Sequence, residues 1–215
     1  MRYKTYVFDF DFTLVDATPG IVESVNYALN QVGLEPKSSD DIRKTVGMTL
    51  DDIFHELTSI LDKQMSDLFI SNFIFMADKV MTENTFLFDD TIKVLSKLKQ
   101  SGCNTAIVTS KFHYRADEAL AKYGISELID CIAGFEDVET AKPSPEGLLK
   151  TIDYFGNDKR SVLYVGDSLI DANTAANASV DFVAVLTGTT RKEEFLMLPH
   201  TYIAKNLTEL IQYIC

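Results

Sequence analysis

Asp9 and Asp11 stand two residues apart in "VFDFDFTLVD", inside an apolar, aromatic run that otherwise reads as a buried strand. A buried carboxylate without a partner is costly, so both need compensation from elsewhere in the chain. Three further polar signals follow apolar runs: Thr109-Ser110 after "AIV", Lys142 after the "CIAGF" region, and Asp167 with Asp171 after "VLYVG". Brought together on adjacent strands, Asp9 and Asp167 would repel each other without a cation. A hard divalent ion held by few carboxylates, with water and a substrate phosphate completing its shell, describes magnesium. The Lys142 ammonium can hold a phosphate or a nucleophilic aspartate, and the Thr109 hydroxyl with local N–H groups can bind phosphate oxygens. The set suits phosphoryl transfer to a carboxylate. Asp167 and Asp171 lie four apart at a strand-to-helix junction, so one helical turn would put both carboxylates on one face.

These residues need a scaffold that gathers strand ends. From Asn84 onward, strand and helix patterns alternate. Asp90–Gln100 reads as an amphipathic helix with Ile92, Leu95 and Leu98 as its apolar stripe and Gly102 at its end. "NTAIVTS" reads as a buried strand, Tyr114–Tyr123 as a helix closed by Gly124, and "CIAGF" as a short strand. Ser144-Pro145 starts a helix as N-cap and first residue, and Gly156 ends it. "SVLYVGDS" is a strand, Asp171–Ala178 a helix, "DFVAVLTG" a strand, and Asn206–Glu209 opens a last helix in capping-box style. This alternation predicts an α/β fold, a parallel sheet with helices on both faces. Ligands of such sheets bind at the carboxyl ends of the strands, where the polar signals fall. From Thr18 to about Thr82 the pattern is helical throughout, and Ile21, Val25, Ala28, Leu29 and Val32 form the apolar face of its first helix. An all-helical domain at 18–82 is thus expected, inserted into a sheet domain made of 1–17 and 83–215.

Composition narrows the function. The 215 residues carry a net charge of −12, which repels nucleic acid and anionic membranes. Cys103, Cys131 and Cys215 show no zinc or CxxC spacing, and they read as reduced thiols in a cytoplasm. The start reads without a signal peptide, and no apolar run reaches membrane-spanning length. His55, His113 and His200 have no metal-ligand spacing, and no phosphate-binding glycine loop is present.

Four ordered motifs, "DFDFTLVD", "IVTS", "AKPSPE" and "VGDSLIDANTA", resemble those of the haloacid dehalogenase-like superfamily. The resemblance implies a Rossmann-like core with an inserted helical cap. Within the family, "TVGMTLDDIF" and "VLTGTTRKEEF" are similar to phosphoglycolate phosphatases and their pyrophosphatase and nucleotidase relatives. It implies that Asp9 is a nucleophile forming an aspartyl phosphate and that Asp11 is the general acid and base. Thr109, with Ser110 beside it, and Lys142 would bind phosphate. Magnesium would be held by Asp9, the main-chain carbonyl of Asp11 and Asp167, with Asp171 helping directly or through water. The substrate would be a small anionic phosphoester, and the protein a monomer or homodimer. Ile21 stands where the phosphoglucomutase branch carries a histidine, which favours hydrolysis over isomerisation. Phe12 departs from the family pattern: relatives usually carry glycine there, and Phe tolerates fewer backbone conformations.

Each signal also has an ordinary reading. Asp171 would serve as a helix cap, Thr109-Ser110 as a turn, and Lys142 as a solvated loop lysine. On the same fold, a non-catalytic phosphate sensor is the alternative from another functional class, and Phe12 would be its mark.

Overall fold

The computed structural model describes residues 2–214 and divides them into two compact units, 2–15 with 87–214, and 16–86. The chain runs β1 (Thr5–Phe8), β2 (Val15–Asp16), α1 (Thr18–Gln31), α2 (Ser39–Arg43), α3 (Leu50–Thr58), α4 (Lys63–Val80) and β3 (Phe86–Leu87). It continues through α5 (Thr91–Gln100), β4 (Asn104–Val108), α6 (His113–Lys122), β5 (Cys131–Ala133), α7 (Glu146–Phe155) and β6 (Val162–Gly166). It closes with α8 (Leu169–Ala178), β7 (Asp181–Val185), α9 (Lys192–Phe195), β8 (Tyr202–Ala204) and α10 (Leu207–Ile214).

Six parallel strands lie in the order β5-β4-β1-β6-β7-β8, the α/β architecture that the alternating pattern predicts. Val7 of β1 pairs with Ala106 of β4 on one side and Tyr164 of β6 on the other. Strand order reverses at β1, so the ends of β4, β1 and β6 open together at the switch point. Side chains alternate faces along each strand. Tyr6, Phe8, Ile107, Leu163 and Val165 join one core with Leu95, Leu120 and Leu210. Val7, Ala106, Val108, Val162 and Tyr164 join a second core with Leu148, Ile152, Ala175 and Phe195. The strands are therefore apolar on both faces, as a doubly covered parallel sheet requires.

Some local expectations shift. The buried stripe of α5 is Val94, Leu95 and Leu98, and Ile92 points to solvent. Helix α7 begins at Glu146 with Pro145 in the capping position, and Ser144 Oγ accepts from Glu146 N at 3.3 Å. Asn206 Oδ1 caps α10 by accepting from Glu209 N, but the Glu209 carboxylate turns to Lys205 N and Tyr202 OH. The sixth strand, β8, three residues long at a sheet edge, is an addition to the expected strands. Cys103 and Cys131 form no disulfide, and Cys215 lies outside the described residues. Among the described residues no helix is long and apolar enough to cross a membrane.

The second unit has its own core. Ile21, Val25, Ala28 and Leu29 of α1 pack with Ile42, Ile53, Phe54, Leu57, Phe69, Phe73 and Ala77. Gly33, at φ +77, closes α1 in the left-handed conformation that glycine adopts without penalty. Thr49 accepts from Asp52 N at the start of α3, and Asp62 accepts from Gln64 N and Met65 N at the start of α4. Phe69 is fully buried, with ring centroids 5.2 Å from Phe54 and 6.4 Å from Phe73. Phe69→Ala is expected to destabilise this unit by about 3–5 kcal/mol, measured by chemical denaturation followed through a probe placed in the unit. A loss below about 1 kcal/mol would mean that the aromatic cluster does not carry its core.

Candidate active site

Asp9 follows β1 directly, and its N–H donates to Val165 O at 2.8 Å. Asp167 follows β6. The register of β1 against β6 therefore places both carboxylates at neighbouring strand ends. Oxygens of Asp9, Asp167 and Asp171 all lie within 4.8 Å of one another, and all three residues are buried. Lys142 enters between them. Its Nζ donates to Asp9 Oδ1 at 2.7 Å and Asp171 Oδ1 at 2.7 Å, with Tyr164 OH at 3.3 Å and Val108 O at 3.5 Å. Its side chain is only 5% exposed, which rules out the solvated-loop reading.

The charges answer to this crowding. Burial, reinforced by Asp171 and Asp11, pushes the Asp9 carboxyl up from the ordinary 3.8 to about 7, against the pull of Lys142. Asp167 is pushed well above the ordinary range by burial, then by Asp171 and Asp9. Burial disfavours the Lys142 cation, but Asp171 and Asp9 outweigh it and raise its pKa well above the ordinary value. Lys142 is therefore charged at neutral pH.

Asp171 holds two positions at once. Its Oδ2 accepts from Ser168 N at 3.1 Å and Ser168 Oγ at 2.6 Å, completing a capping box at the start of α8. Its Oδ1 accepts from Lys142 and from Tyr164 OH at 2.9 Å. The sequence offers capping and site duty as alternatives, and the side chain does both. Helical spacing does not bring Asp167 and Asp171 together, because α8 starts only at Leu169. The capping box folds Asp171 back toward the strand end. A Cβ on Gly166 would come within 2.5 Å of Asp171 Cβ, and one on Gly188 would overlap Asp167 Oδ2. Both glycines leave room for the carboxylates.

Asp11 takes a different neighbour. Its Oδ2 lies 3.0 Å from Lys111 Nζ, and its Oδ1 is buried with no hydrogen-bond partner. Thr109 Oγ1 accepts from Lys111 N at 3.1 Å, so it forms the turn that the ordinary reading offers. Ser110 Oγ is buried without a partner. A small pocket beside this turn is lined by Thr109, Ser110, Gly134, Lys142 and Ser144. His113 sits apart, its Nδ1 2.7 Å from Asp137 Oδ2.

Four supporting residues escape a reading of the sequence. Tyr164 looks like one more apolar strand residue, yet its hydroxyl reaches Asp171 and Val108 O. Thr13 Oγ1 donates to Asp167 Oδ1 at 3.2 Å. Lys111 follows Thr109-Ser110 directly, and its adjacency was the available signal. Thr187 Oγ1 donates to Phe12 O. Phe12 itself lies at φ +58, the left-handed region. The chain keeps the glycine conformation without the glycine, at a cost of about 1–3 kcal/mol. Hydrogen bonds from Phe12 N to Val15 O, 2.7 Å, and from Thr187 hold the turn in place.

Comparison with known proteins agrees with this geometry. The chain is 32% identical over 203 residues to a phosphoglycolate phosphatase from Rhodobacter capsulatus, covering 90% of this chain and 89% of that one. It is 26% identical over 215 residues to a pyrophosphatase from Halalkalibacterium halodurans, covering 100% and 98%. A crystal structure from Bacteroides fragilis, described as a haloacid dehalogenase-like hydrolase, superposes with a TM-score of 0.94 at 39% identity, covering 97% and 99%. The family model for haloacid dehalogenase-like hydrolases matches residues 6–185. With its paired strand-end carboxylates and buried lysine inside that span, the chain belongs to the haloacid dehalogenase-like hydrolases.

Proposed function

We propose that the chain is a magnesium-dependent phosphohydrolase that transfers the phosphoryl group of a small anionic ester to Asp9 and then to water. The observation that carries this reading is Asp9 itself: a strand-end carboxylate fixed by Lys142, with Asp167 close by and Asp11 two residues further on. The favoured substrate is 2-phosphoglycolate, with pyrophosphate or a nucleotide monophosphate next, by similarity to the relatives. We assign the helical unit, with the domain limits expected from sequence at 18–82, to a cap whose Gly47-Met48-Thr49 loop contributes to substrate choice. A cytoplasmic setting belongs to the same proposal.

The donor set fits a divalent cation. Four carboxylates, Asp9, Asp11, Asp167 and Asp171, meet two ammonium groups, Lys111 and Lys142. The imbalance is the charge of one divalent ion. Oxygen ligands in small number suit magnesium, which keeps water and substrate oxygens in its shell. Asp9, Asp167 and the Asp11 carbonyl would hold it. Asp171 contributes by fixing Lys142, since its oxygens already accept from Lys142, Tyr164 and Ser168. When bound, the cation would offset negative charge on the phosphoryl oxygens.

The chain's own residues then divide the work. An Asp9 oxygen attacks phosphorus, and the bond from phosphorus to the leaving oxygen breaks. Asp11, in its acid form, gives that oxygen its proton. Water next attacks the phosphorus of the aspartyl phosphate while Asp11 takes the water's proton. Inorganic phosphate leaves and Asp9 is restored. Lys142 positions Asp9 and a phosphoryl oxygen, and Ser110 Oγ supplies an uncommitted hydroxyl for another. Phe12 does not argue for a silent homologue, because the turn keeps its left-handed conformation and its hydrogen bonds.

Asp9→Asn removes the nucleophile with little change of shape. Phosphate release from 2-phosphoglycolate is expected to fall by about three orders of magnitude or more, with the circular dichroism spectrum unchanged. A variant that hydrolyses near the wild-type rate would remove Asp9 from the nucleophile's place.

Metal affinity carries a pH signature. The raised carboxyls of Asp9 and Asp167 bind protons more tightly folded than unfolded. Without a cation, that stabilisation is complete below the ordinary carboxylate pKa and is lost as pH rises through about 7 for Asp9. Protons and cation compete for the same oxygens. Saturating magnesium is thus expected to raise the melting temperature by about 5–10 °C at pH 8 and by clearly less at pH 5.5. Chelator should abolish the rise, and Asp167→Ala should remove most of it. A shift of equal size at both pH values would contradict this site.

A further inference from the structure

Lys111 takes no part in the reaction above, yet its ammonium lies 3.0 Å from Asp11 Oδ2 with both side chains about nine-tenths buried. We infer that Lys111 reads the leaving group. It selects phosphoesters whose departing portion carries a second anion, a carboxylate or a phosphate, close to the ester oxygen. This rests on the phosphohydrolase reading and specifies its substrate class.

Position is the first argument. A general acid must lie within hydrogen-bond reach of the oxygen it protonates. Lys111 Nζ is one hydrogen bond from Oδ2 of that same carboxyl, so it falls within about 6–8 Å of the leaving oxygen, two hydrogen-bond lengths and at most the width of the carboxyl. A carboxylate one carbon beyond the ester oxygen lies inside this reach, as does a phosphate attached directly to it.

The mount is the second. Lys111 sits on a turn fixed from both sides. Its N–H donates to Thr109 Oγ1, and its carbonyl accepts from Phe135 N at 2.9 Å. The next turn is held where His113 N meets both Glu136 oxygens at 2.9 Å. Gly134 is packed so closely there that a Cβ would stand 2.7 Å from His113 Cα. A rigid backbone presents the ammonium at a defined place, which a selective contact needs.

Charge is the third. The protein carries a net charge of −12, so a doubly anionic substrate needs positive charge at the site itself. Lys142 is shared by Asp9 and Asp171 at 2.7 Å each, and it serves the phosphoryl end. Lys111 stands beside Asp11, the acid that meets the leaving group. A compact ammonium suits either a carboxylate or a phosphate there.

A purely structural Lys111, one that only orients Asp11, would affect every phosphoester alike. The test compares Lys111→Met and Lys111→Arg with wild type, as full chains with magnesium, on 2-phosphoglycolate, pyrophosphate and ethyl phosphate, which lacks a second anion. In Lys111→Met, kcat/KM for the first two is expected to fall at least tenfold further than for ethyl phosphate, mainly through KM. Lys111→Arg should recover much of the preference. Equal losses on all three substrates would overturn the assignment. A second readout is independent of turnover: calorimetric binding of 2-phosphoglycolate and ethyl phosphate in the Asp9→Asn background. Adding Lys111→Met should weaken 2-phosphoglycolate at least tenfold more than ethyl phosphate. If wild type hydrolyses none of the substrates, the hydrolase reading fails on its own. The binding comparison then decides Lys111: a selective loss upholds it, and no selective loss overturns it.

Discussion

Lys142 Nζ stands 2.7 Å from Asp9 Oδ1 and 2.7 Å from Asp171 Oδ1, at a point where three buried carboxylates converge. Like charges this close in a low-dielectric setting cannot all remain ionised unaided. The lysine offsets part of the repulsion, and protons or a cation must offset the rest. Burial first, and this repulsion after it, raises the Asp9 and Asp167 carboxyls, while Asp171 and Asp9 keep Lys142 charged. Much of the nearby structure serves this one contact. Glu146, at the start of α7, accepts from Glu139 N and Thr140 N at 2.9 Å each, fixing the loop that delivers Lys142. Its carboxyl is held down to about 2 by Lys150 and by those two N–H groups. Tyr164 and Val108 O meet the ammonium from the sheet side.

The sheet makes the convergence available. In a parallel order with its switch at β1, the ends of β4, β1 and β6 are neighbours although they close at Val108, Phe8 and Gly166, far apart in the chain. Register against β6 sets Asp9 beside Asp167. Backbone constraints tighten the result. Gly166 and Gly188 supply the space that two carboxylates occupy. Phe12 holds a left-handed conformation at a cost that the surrounding hydrogen bonds offset. Strain retained at such a turn marks a position where the path of the chain matters more than the residue's own preference.

The fold was legible because parallel strands buried on both faces read as continuous apolar runs, and several helices carry visible caps or closing glycines. β1, β4, β6 and β7 all appear that way, as does the switch to a helical pattern after Thr18. β8 did not, although β5, equally short and at the opposite edge, was readable in "CIAGF". Ile92 was misplaced because Val94, two positions further on, faces the core instead. The site was legible at Asp9, Asp167, Asp171 and Lys142, where charge interrupts or closely follows an apolar run. Tyr164 and Thr13 were hidden for the opposite reason. An aromatic or hydroxyl side chain in an apolar run raises no conflict until its partner is known. The glycines were invisible too, for their contribution is the absence of a side chain.

Asp171 shows why such a site resists piecemeal change. One carboxylate caps α8 through Ser168 and holds Lys142 through its other oxygen. The helix and the ammonium therefore share a single residue. Glutamate would carry the same charge, but an extra methylene would move one of the two contacts, and asparagine would replace an acceptor with a donor facing either Lys142 or Ser168. Neither substitution satisfies both ends. The same coupling explains how an acidic protein can present a positive point to an anion. The charge is not spread over the surface but fixed on two buried lysines, Lys142 and Lys111, each held by carboxylates that would otherwise repel the substrate.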